Sequence, residues 1–283
     1  YATVRATNSA NLTTIAVSAG LLVDRTPPVE GRAFSGREAS DVAFSTHPSE
    51  LCVSVDGFDD PETGISRFDA CVGSASGKCN VQRRAAVVPE GTSADPDRVF
   101  DVLCLRDVPL SHTQKVLVNV WAVNGVGHAT SVSTALVQIA VSPPSPGTVV
   151  AARLTPDGHV DLMSAAVQYY DQAHTIGAYW FGFGSQSSIP LSHFSVAVCG
   201  VVSGCNNGEQ RLSVYANIGL EANITLAAHE LIPGQPYRWH VRATDAAGLS
   251  TEAASSSFVV DATPPSAGKV TVLSFGVASK QIN

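Results

Sequence analysis

The densest group of ionisable side chains in the sequence is acidic. Asp59, Asp60 and Glu62 lie in the short segment 59–64, Asp-Asp-Pro-Glu-Thr-Gly, whose carboxylate and carbonyl oxygens could surround a calcium ion. The segment lacks the ligand spacing of an EF-hand loop. We expect a solvated loop here, with weak calcium binding by Asp59, Asp60 and Glu62 as the alternative.

The sequence lacks several common motifs of metal-dependent and nucleophilic enzymes. The eight histidines form no His-Glu-x-x-His motif and no pair at i, i+4, the spacing that a zinc site on a helix requires. The nucleophile-elbow, Walker A and dinucleotide-binding glycine motifs are absent too. We therefore expect no enzyme, no cofactor and no metal centre.

Six cysteines could form disulfides, remain as buried thiols or bind a metal. Cys71 and Cys79 flank a short polar loop, and Cys199 and Cys205 flank a similar loop further along the chain. Facing strands of a hairpin bring Cα atoms to the separation that a disulfide requires, so we expect Cys71–Cys79 and Cys199–Cys205. The Cys-x2-Cys spacing typical of zinc sites is absent. Disulfides indicate an oxidising compartment, either secreted or on a cell surface.

The elements that position these residues are organised by an internal repeat. Residues 4–28, 120–144 and 241–265 align without a gap, and each stretch ends in a proline pair. Gly31, Gly147 and Gly268 follow the three pairs at the same distance. The spacing of the repeat is close to the size of one β-sandwich domain, about 100 residues.

Each repeat has the pattern of a β-hairpin. Apolar and polar residues alternate at its start, as in a half-buried strand. Turns rich in Asn, Asp and Gly follow at 8–11, 124–127 and 245–248. We expect one continuous second strand in each copy, running to Asp24, Val141 and Asp261. The proline pair then ends the pairing, because proline has no N–H to donate.

Composition favours an all-β chain of several domains. The 283 residues include 23 Gly and 16 Pro, and the apolar segments are short and rich in Val, Thr and Ala. The net charge is −7 without a basic stripe, which argues against nucleic-acid binding. No apolar run is long enough for membrane insertion.

The repeat predicts four segments joined by short proline-rich linkers. Residues 1–28 are expected to be the C-terminal hairpin of a preceding sandwich. Residues 29–144 and 145–265 are expected to be two-sheet β-sandwich domains, the second with an extended N-terminal region at 145–175. Residues 266–283 are expected to begin a following domain with its first strand.

Several segments resemble known families. The stretch 231–243, Leu-Ile-Pro-Gly-Gln-Pro-Tyr-Arg-Trp-His-Val-Arg-Ala, resembles the E–F corner and F strand of fibronectin type III domains. The resemblance implies a fibronectin type III-like or immunoglobulin-like sandwich, with Tyr237 closing a tyrosine corner and Trp180 in the core. The linker Asp-x-Thr-Pro-Pro, the loop Gly-Phe-Asp-Asp-Pro-Glu-Thr-Gly-Ile and the Cys-x-Gly hairpin are similar to tandem repeats of large extracellular proteins of protists and algae. Flagellar mastigoneme-type glycoproteins are among these.

The same resemblance implies the third disulfide. Cys52 and Cys104 lie on strands that correspond to B and E. These strands are neighbours in a fibronectin type III sheet, which implies Cys52–Cys104.

Two N-glycosylation sequons are present, at Asn11-Leu12-Thr13 and Asn223-Ile224-Thr225. Asn11 falls in the turn of the first repeat, where a sugar has room. We predict N-linked glycans on Asn11 and Asn223.

These features together predict a non-enzymatic structural module of an extracellular filament or surface-coat glycoprotein. It would act as a rod-like spacer, with further copies of the repeat and neighbouring protomers as partners. The alternative is an adhesin or receptor ectodomain that binds a protein or glycan through its loops. Trp180 and Trp239 are expected in the core, whereas the surface aromatics that could stack on sugars are Trp121, Tyr169, Tyr170 and Tyr179.

Overall fold

The computed structural model describes residues 1–90, 100–154, 160–161, 167–171, 175–184, 188–201, 205, 215–227 and 231–271. All the regular secondary structure within these ranges is β-strand, so the predicted all-β class is confirmed. The described part of the chain accordingly contains no helix with the length and apolarity to cross a membrane. The chain divides into two compact units. The first consists of Tyr1–Gly147, Gly182–Phe194 and Arg242–Glu252. The second consists of Thr148–Phe181, Ser195–Val241 and Ala253–Asn283.

The first part of the chain begins with an exposed two-stranded hairpin and continues into a two-sheet sandwich. Its strands are β1 (Thr3–Thr7), β2 (Thr13–Val17), β3 (Arg32–Ser35), β4 (Phe44–Ser45), β5 (Leu51–Asp56), β6 (Ile65–Gly73), β7 (Gln82–Val87), β8 (Asp101–Leu105), β9 (Lys115–Asn124), β10 (Ala129–Ser133) and β11 (Val137–Ile139). One sheet has the order β3-β5-β8, and the other has the order β4-β11-β9-β6-β7 with β10 also paired to β9.

The core of this sandwich lies between its two sheets. Val53 of β5 and Leu103 of β8 come from the three-stranded sheet, and Val72 of β6 and Val120 of β9 come from the six-stranded sheet. All four are fully buried in one hydrophobic cluster. Burial of such side chains is the main favourable contribution to folding, about 1.5–3 kcal/mol for each.

The rest of the chain forms two further sheets. Its strands are β12 (Thr148–Leu154), β13 (Val160–Asp161), β14 (Val167–Asp171), β15 (Thr175–Phe181), β16 (Leu191–Gly200), β17 (Ala216–Asn217), β18 (Asn223–Ala227), β19 (Pro236–Asp245), β20 (Ser250–Ala254) and β21 (Ser257–Asp261). One sheet has the order β13-β12-β15-β18, and the other has the order β14-β21-β19-β16-β17 with β20 paired to β19. In both halves of the chain a short strand runs parallel to the last strand, β4 beside β11 and β14 beside β21.

The second strand does not run unbroken to the linker in any copy, so that expectation is wrong: it is split into β10 and β11 and into β20 and β21 in two copies, and in the first copy β2 ends at Val17. At the break in the middle copy, the Thr134 hydroxyl accepts the Val118 N–H at 3.1 Å and donates to the Ala135 carbonyl at 2.9 Å. The side chain thus takes a position that a backbone carbonyl would otherwise fill, and the strand shifts before β11 begins. Ser18 and Ser255 make the same pair of bonds in the other copies, with Ala2 and Ala19, and with Trp239 and Ser256.

A glycine follows the first proline pair because two backbone segments approach closely there. A Cβ atom at Gly31 would lie 2.4 Å from the Asp56 carbonyl oxygen and 2.6 Å from the Phe58 nitrogen. Both distances are shorter than van der Waals contact, so a larger residue would displace the linker from the domain. The repeated glycine of the sequence therefore has a steric cause in this copy.

Candidate functional site, a clamp on the first linker

The first linker, Asp24-Arg25-Thr26-Pro27-Pro28, is held in a local turn and attached to the domain that follows it. The Asp24 carboxylate accepts the Thr26 N–H at 3.0 Å, which is an Asx turn. Beyond the prolines, the Val29 N–H donates to the Asp59 carbonyl at 2.7 Å. The linker is therefore bonded to the loop between β5 and β6.

Asn124, the last residue of β9, connects the linker to two other segments. Its side-chain N–H2 group lies 2.8 Å from Oδ2 of Asp24, 3.0 Å from the Thr26 carbonyl and 3.0 Å from Oδ2 of Asp60. Asn124 is 1% exposed, Asp60 4% and Asp24 8%. A buried amide thus bridges two buried carboxylates.

The orientation of this amide is fixed by the turn that follows β9. Its Oδ1 accepts the Val126 N–H at 3.2 Å and the His128 N–H at 2.8 Å. Because both partners are backbone N–H donors, the oxygen must face them and the nitrogen must face the carboxylates.

Two threonines complete the site. The Thr63 hydroxyl donates to Oδ2 of Asp24 and accepts the Gly125 N–H at 3.2 Å. The Thr26 hydroxyl donates to the Glu62 carboxylate. We name the group Asp24, Thr26, Asp60, Thr63 and Asn124 the linker clamp.

Neutral donors, rather than basic side chains, stabilise the charges of the linker clamp. The Thr63 hydroxyl lowers the pKa of Asp24 below its ordinary value. The Thr63 backbone N–H lowers the pKa of Asp60, and the Asn124 amide contributes to the same shift. Hydrogen bonds to the ionised form favour that form, so both carboxylates are charged in the folded protein at neutral pH.

The predicted acidic loop contributes to the clamp, but with a different set of carboxylates. Asp24, Asp60 and Glu62 offer oxygens that all lie within 4.8 Å of one another. Asp59 is exposed and supplies its backbone carbonyl to Val29. The expectation of a solvated loop holds for Asp59 and Glu62, which are exposed, but not for Asp60, which is buried. Calcium binding by Asp59, Asp60 and Glu62 stays the alternative.

The turn that orients Asn124 is present in all three repeats. In each copy the first turn residue accepts two backbone N–H bonds through its side-chain oxygen, from the residues two and four positions later. The three sets are Asn8 with Ala10 and Leu12, Asn124 with Val126 and His128, and Asp245 with Ala247 and Leu249. The position of positive φ is also shared, with Asn11 at 63°, Gly127 at 96° and Gly248 at 84°.

The Asx turn of the linker recurs at the last repeat. Asp261 accepts the Thr263 N–H at 2.9 Å and the Thr263 hydroxyl at 2.6 Å, and that hydroxyl lowers the pKa of Asp261. Asp261 is exposed, in contrast to Asp24. The middle linker has Ala140 and Ser142 at the corresponding positions.

Sequence reasoning missed the residues that make the clamp. Asp24 and Thr26 were visible as the Asp-x-Thr-Pro-Pro motif, which returns at Asp261. Asn124 was visible only as a turn residue, because its contact with Asp24 depends on how distant segments pack. The hydroxyl at 18, 134 and 255 was a further signal, since each copy of the repeat carries Ser or Thr there.

The structure contains the three cysteine pairs that the sequence analysis expects. Cys52 and Cys104 lie directly opposite each other on β5 and β8 and form a disulfide. The other two disulfides are Cys71–Cys79 and Cys199–Cys205. The sulfurs of the last pair lie close to the His240 imidazole, but a disulfide offers no thiolate to a metal.

The loop of the Cys71–Cys79 disulfide is also fixed by a buried amide. Asn119 of β9 is 1% exposed. Its nitrogen donates to the Lys78 carbonyl at 2.7 Å, and its oxygen accepts the Gly77 N–H at 2.7 Å. The loop therefore packs rigidly against the outer side of β9.

The predicted division of Trp and Tyr residues between core and surface is wrong for one residue, Tyr170. Trp180 and Trp239 are buried, and the Tyr237 hydroxyl accepts the Ile232 N–H at 3.0 Å, as a tyrosine corner requires. Tyr170, expected at the surface, is buried edge-on against Phe258, because β14 adds to the sheet beside β21. The other three surface candidates, Trp121, Tyr169 and Tyr179, keep some exposure.

No family model and no curated protein matches this chain. Among solved structures, it is similar to a "Ca2+-stabilized adhesin" with which an Antarctic bacterium binds ice, at 17% identity and a TM-score of 0.44, over 94% of this chain. The chain spans 57% of that adhesin structure.

Fibronectin type III modules are also similar in structure. For the fibronectin(III)-like modules of CbhA from Clostridium thermocellum the identity is 12% and the TM-score 0.40, over 85% of this chain and 100% of that one. For the FN1–FN3 domains of chicken CNTN1 the identity is 12% and the TM-score 0.36, over 89% and 76% of the two chains. The all-β sandwich class follows from the strand order and the core of the chain itself.

Proposed function

We propose that this chain is a structural repeat module of a large extracellular protein, in which successive β-sandwiches act as spacers. Residues 29–144 and 145–265 would be the two domains, 1–28 the closing hairpin of a preceding sandwich and 266–283 the first strand of a following one. The observation that carries the proposal is the threefold repetition of the same turn and of the same two hydroxyl bonds at positions 18, 134 and 255. Such detail in three separate places is typical of tandem copies of one domain.

The linker clamp supports a spacer role. A proline-rich linker without contacts would be a semi-rigid tether. Here Asn124 and Thr63 of the domain bind the linker directly, which restricts how the linker can enter that domain. A spacer needs such restriction, because a freely bending linker would shorten the distance that the assembly spans.

An extracellular location is supported by the disulfides and by the two sequons. Disulfides persist in oxidising compartments. Asn11 and Asn223 are both exposed, and Asn11 lies at a turn tip with a positive φ of 63°. We propose both as N-glycosylation sites, and further copies of the repeat and neighbouring protomers as partners in a filament or surface coat, such as that of an algal or protist flagellum.

Small-angle X-ray scattering on engineered tandem copies tests the spacer role. The chain would be expressed with the two-domain segment 29–265 present once, twice and three times in one polypeptide. We expect the maximum dimension to increase by a constant amount with each copy. A maximum dimension that grows only as the cube root of mass, as in a compact globule, would refute the proposal.

A further inference from the structure

We propose that the cleft beside Trp121 in the first sandwich binds a neutral oligosaccharide, with one sugar ring stacked on the indole. The spacer role does not depend on this site. The cleft has a volume of about 580 Å³ and is lined by Glu30, Arg32, Asp41, Ser76, Trp121 and Ser133. This volume is within the range of ligand sites, about 300–1,000 Å³.

The indole of Trp121 is held rigidly on one side. The Arg84 guanidinium carbon lies over the ring, 4.3 Å from its centre. Arg84 is itself fixed by two hydrogen bonds to the Asp69 carboxylate, at 3.1 and 2.8 Å. Arg67 donates to the same carboxylate at 3.1 Å. A cation over an aromatic face is attracted by the ring quadrupole, so this framework fixes the orientation of the indole.

The other side of the indole faces the cleft. Trp121 lies opposite Asp69 of β6 on one side and opposite Ser131 of β10 on the other. Arg84 comes from β7, beyond β6, whereas the cleft is lined by β3 and β10. The ring therefore stands between the guanidinium and the cleft, with one face available to a ligand.

The polar groups of the cleft match the hydroxyls of a sugar. The Ser133 hydroxyl donates to Oδ1 of Asn119 at 2.7 Å, so the Ser76 hydroxyl, 2.8 Å from Ser133, must donate to Ser133. Ser76 then keeps its oxygen as an acceptor. Glu30 is a further acceptor, and so is Oδ2 of Asp41, whose Oδ1 already accepts the Ser35 N–H and hydroxyl. Arg32 is a donor.

A neutral sugar fits this combination better than an anionic sugar does. The C–H face of a pyranose ring packs against the negative face of an indole, while its hydroxyls need acceptors at the rim. An anionic sugar would be repelled by Glu30 and Asp41. Phe34 also lines the cleft, so a proline-rich peptide, which binds in grooves lined by several aromatics, is the competing ligand that the experiment below distinguishes.

Nuclear magnetic resonance of the indole N–H signals tests the site on the whole chain. The protein has three tryptophans, so the signal of Trp121 is identified by its loss in Trp121→Ala. Cellohexaose, mannohexaose and chitohexaose are the probes, each at up to about 20 mM, well above the millimolar dissociation constant that one stacked ring gives. We expect at least one of them to move the Trp121 signal saturably, and the signals of Trp180 and Trp239 to stay.

Three variants complete the test. Ser131→Arg fills the cleft from the position opposite Trp121 without changing the indole, and should weaken the binding of the active hexasaccharide about tenfold or more. Trp121→Ala, followed through the sugar signals, should do the same. Tyr169→Ala, which changes an aromatic that is 64% exposed elsewhere, should leave the affinity unchanged.

Three results would overturn the proposal. The first is the absence of any shift with all three sugars. The second is a dissociation constant that Ser131→Arg or Trp121→Ala leaves unaltered. The third is a shift caused only by a Ser-Pro-Pro-Ser-Pro peptide, the sequence of residues 142–146, which would make the cleft a peptide site.

Discussion

The side-chain amide of Asn124 donates a hydrogen bond to the Asp24 carboxylate over 2.8 Å, although 100 residues separate the two in the sequence. The bond joins the linker to the turn after β9 in the interior of the protein, where both side chains are buried. A linker held by a buried amide is part of the folded domain, and its loss should be measurable as a loss of stability.

Removal of the Asn124 amide should destabilise the first sandwich. Asn124→Ala removes one donor from each of two buried carboxylates, and we expect the free energy of unfolding to fall by about 1–3 kcal/mol. Asn124→Asp should cost at least as much at neutral pH, because it keeps the turn but places a third carboxylate beside Asp24 and Asp60. Urea denaturation followed by fluorescence measures both.

Asn8→Ala is the matched control for this pair. Asn8 makes the same two turn bonds as Asn124, but it is exposed and lies in the N-terminal hairpin, outside the linker clamp. We expect a change within about 0.5 kcal/mol. Equal losses in Asn8→Ala and Asn124→Ala would assign the effect to the turn and not to the clamp.

The linker clamp should make stability depend on pH in the acid range. The folded-state pKa values of Asp24 and Asp60 are lowered, so protons bind these carboxylates more weakly in the folded than in the unfolded chain. Their contribution is complete well above the unfolded-state pKa of about 3.9 and is lost as the pH falls through the folded-state values. Thermal melting of wild type and Asp24→Asn between pH 7 and pH 3 should show a steeper decline in the wild type. Parallel curves would contradict this.

The hydroxyl at the strand break should matter most where it is buried. Thr134 is 5% exposed and satisfies the Val118 N–H. Thr134→Val keeps the shape of the side chain but leaves that N–H without a partner, so we expect a loss of about 1–3 kcal/mol. Ser18→Ala removes the corresponding bond at an exposed site and should change the unfolding free energy little. Similar losses in the two variants would show that burial is not the cause.

The two disulfides of the first sandwich should differ in their contribution to stability. Cys52–Cys104 closes a loop with a sequence separation of 52, and Cys71–Cys79 closes one of 8. The chain-entropy relation gives about 4 kcal/mol for the longer loop and about 2.5 kcal/mol for the shorter one. Guanidinium denaturation of Cys52→Ala/Cys104→Ala and of Cys71→Ala/Cys79→Ala should give losses in that order. The reverse order would mean that effects in the folded state dominate.

The sequence predicted those features that depend on local pattern. The turns at Asn8, Asn124 and Asp245 could be predicted because Asn, Asp and Gly tolerate positive φ and accept nearby N–H bonds. The Cys71–Cys79 pair could be predicted because a hairpin brings its two strands together. In each case the interacting groups are close in the chain.

Features that depend on distant packing could not be predicted in this way. The contact of Asp24 with Asn124 requires the linker, the loop after β5 and the turn after β9 to meet. The burial of Tyr170 depends on β14 pairing in parallel with β21, and neither strand specifies its partner by itself. The strand break at Thr134 results from one hydroxyl competing with the backbone, which hydrophobic periodicity does not detect.

Tryptic cleavage between Arg25 and Thr26 tests the linker clamp most directly. Arg25 is exposed, but its peptide bond lies inside the clamped turn, so cleavage requires the linker to open. We expect Asn124→Ala to accelerate cleavage at this bond roughly 5- to 150-fold, as a loss of about 1–3 kcal/mol implies, and to leave cleavage after the exposed Arg5 unchanged. Equal rates at Arg25 in wild type and Asn124→Ala would mean that the amide does not hold the linker.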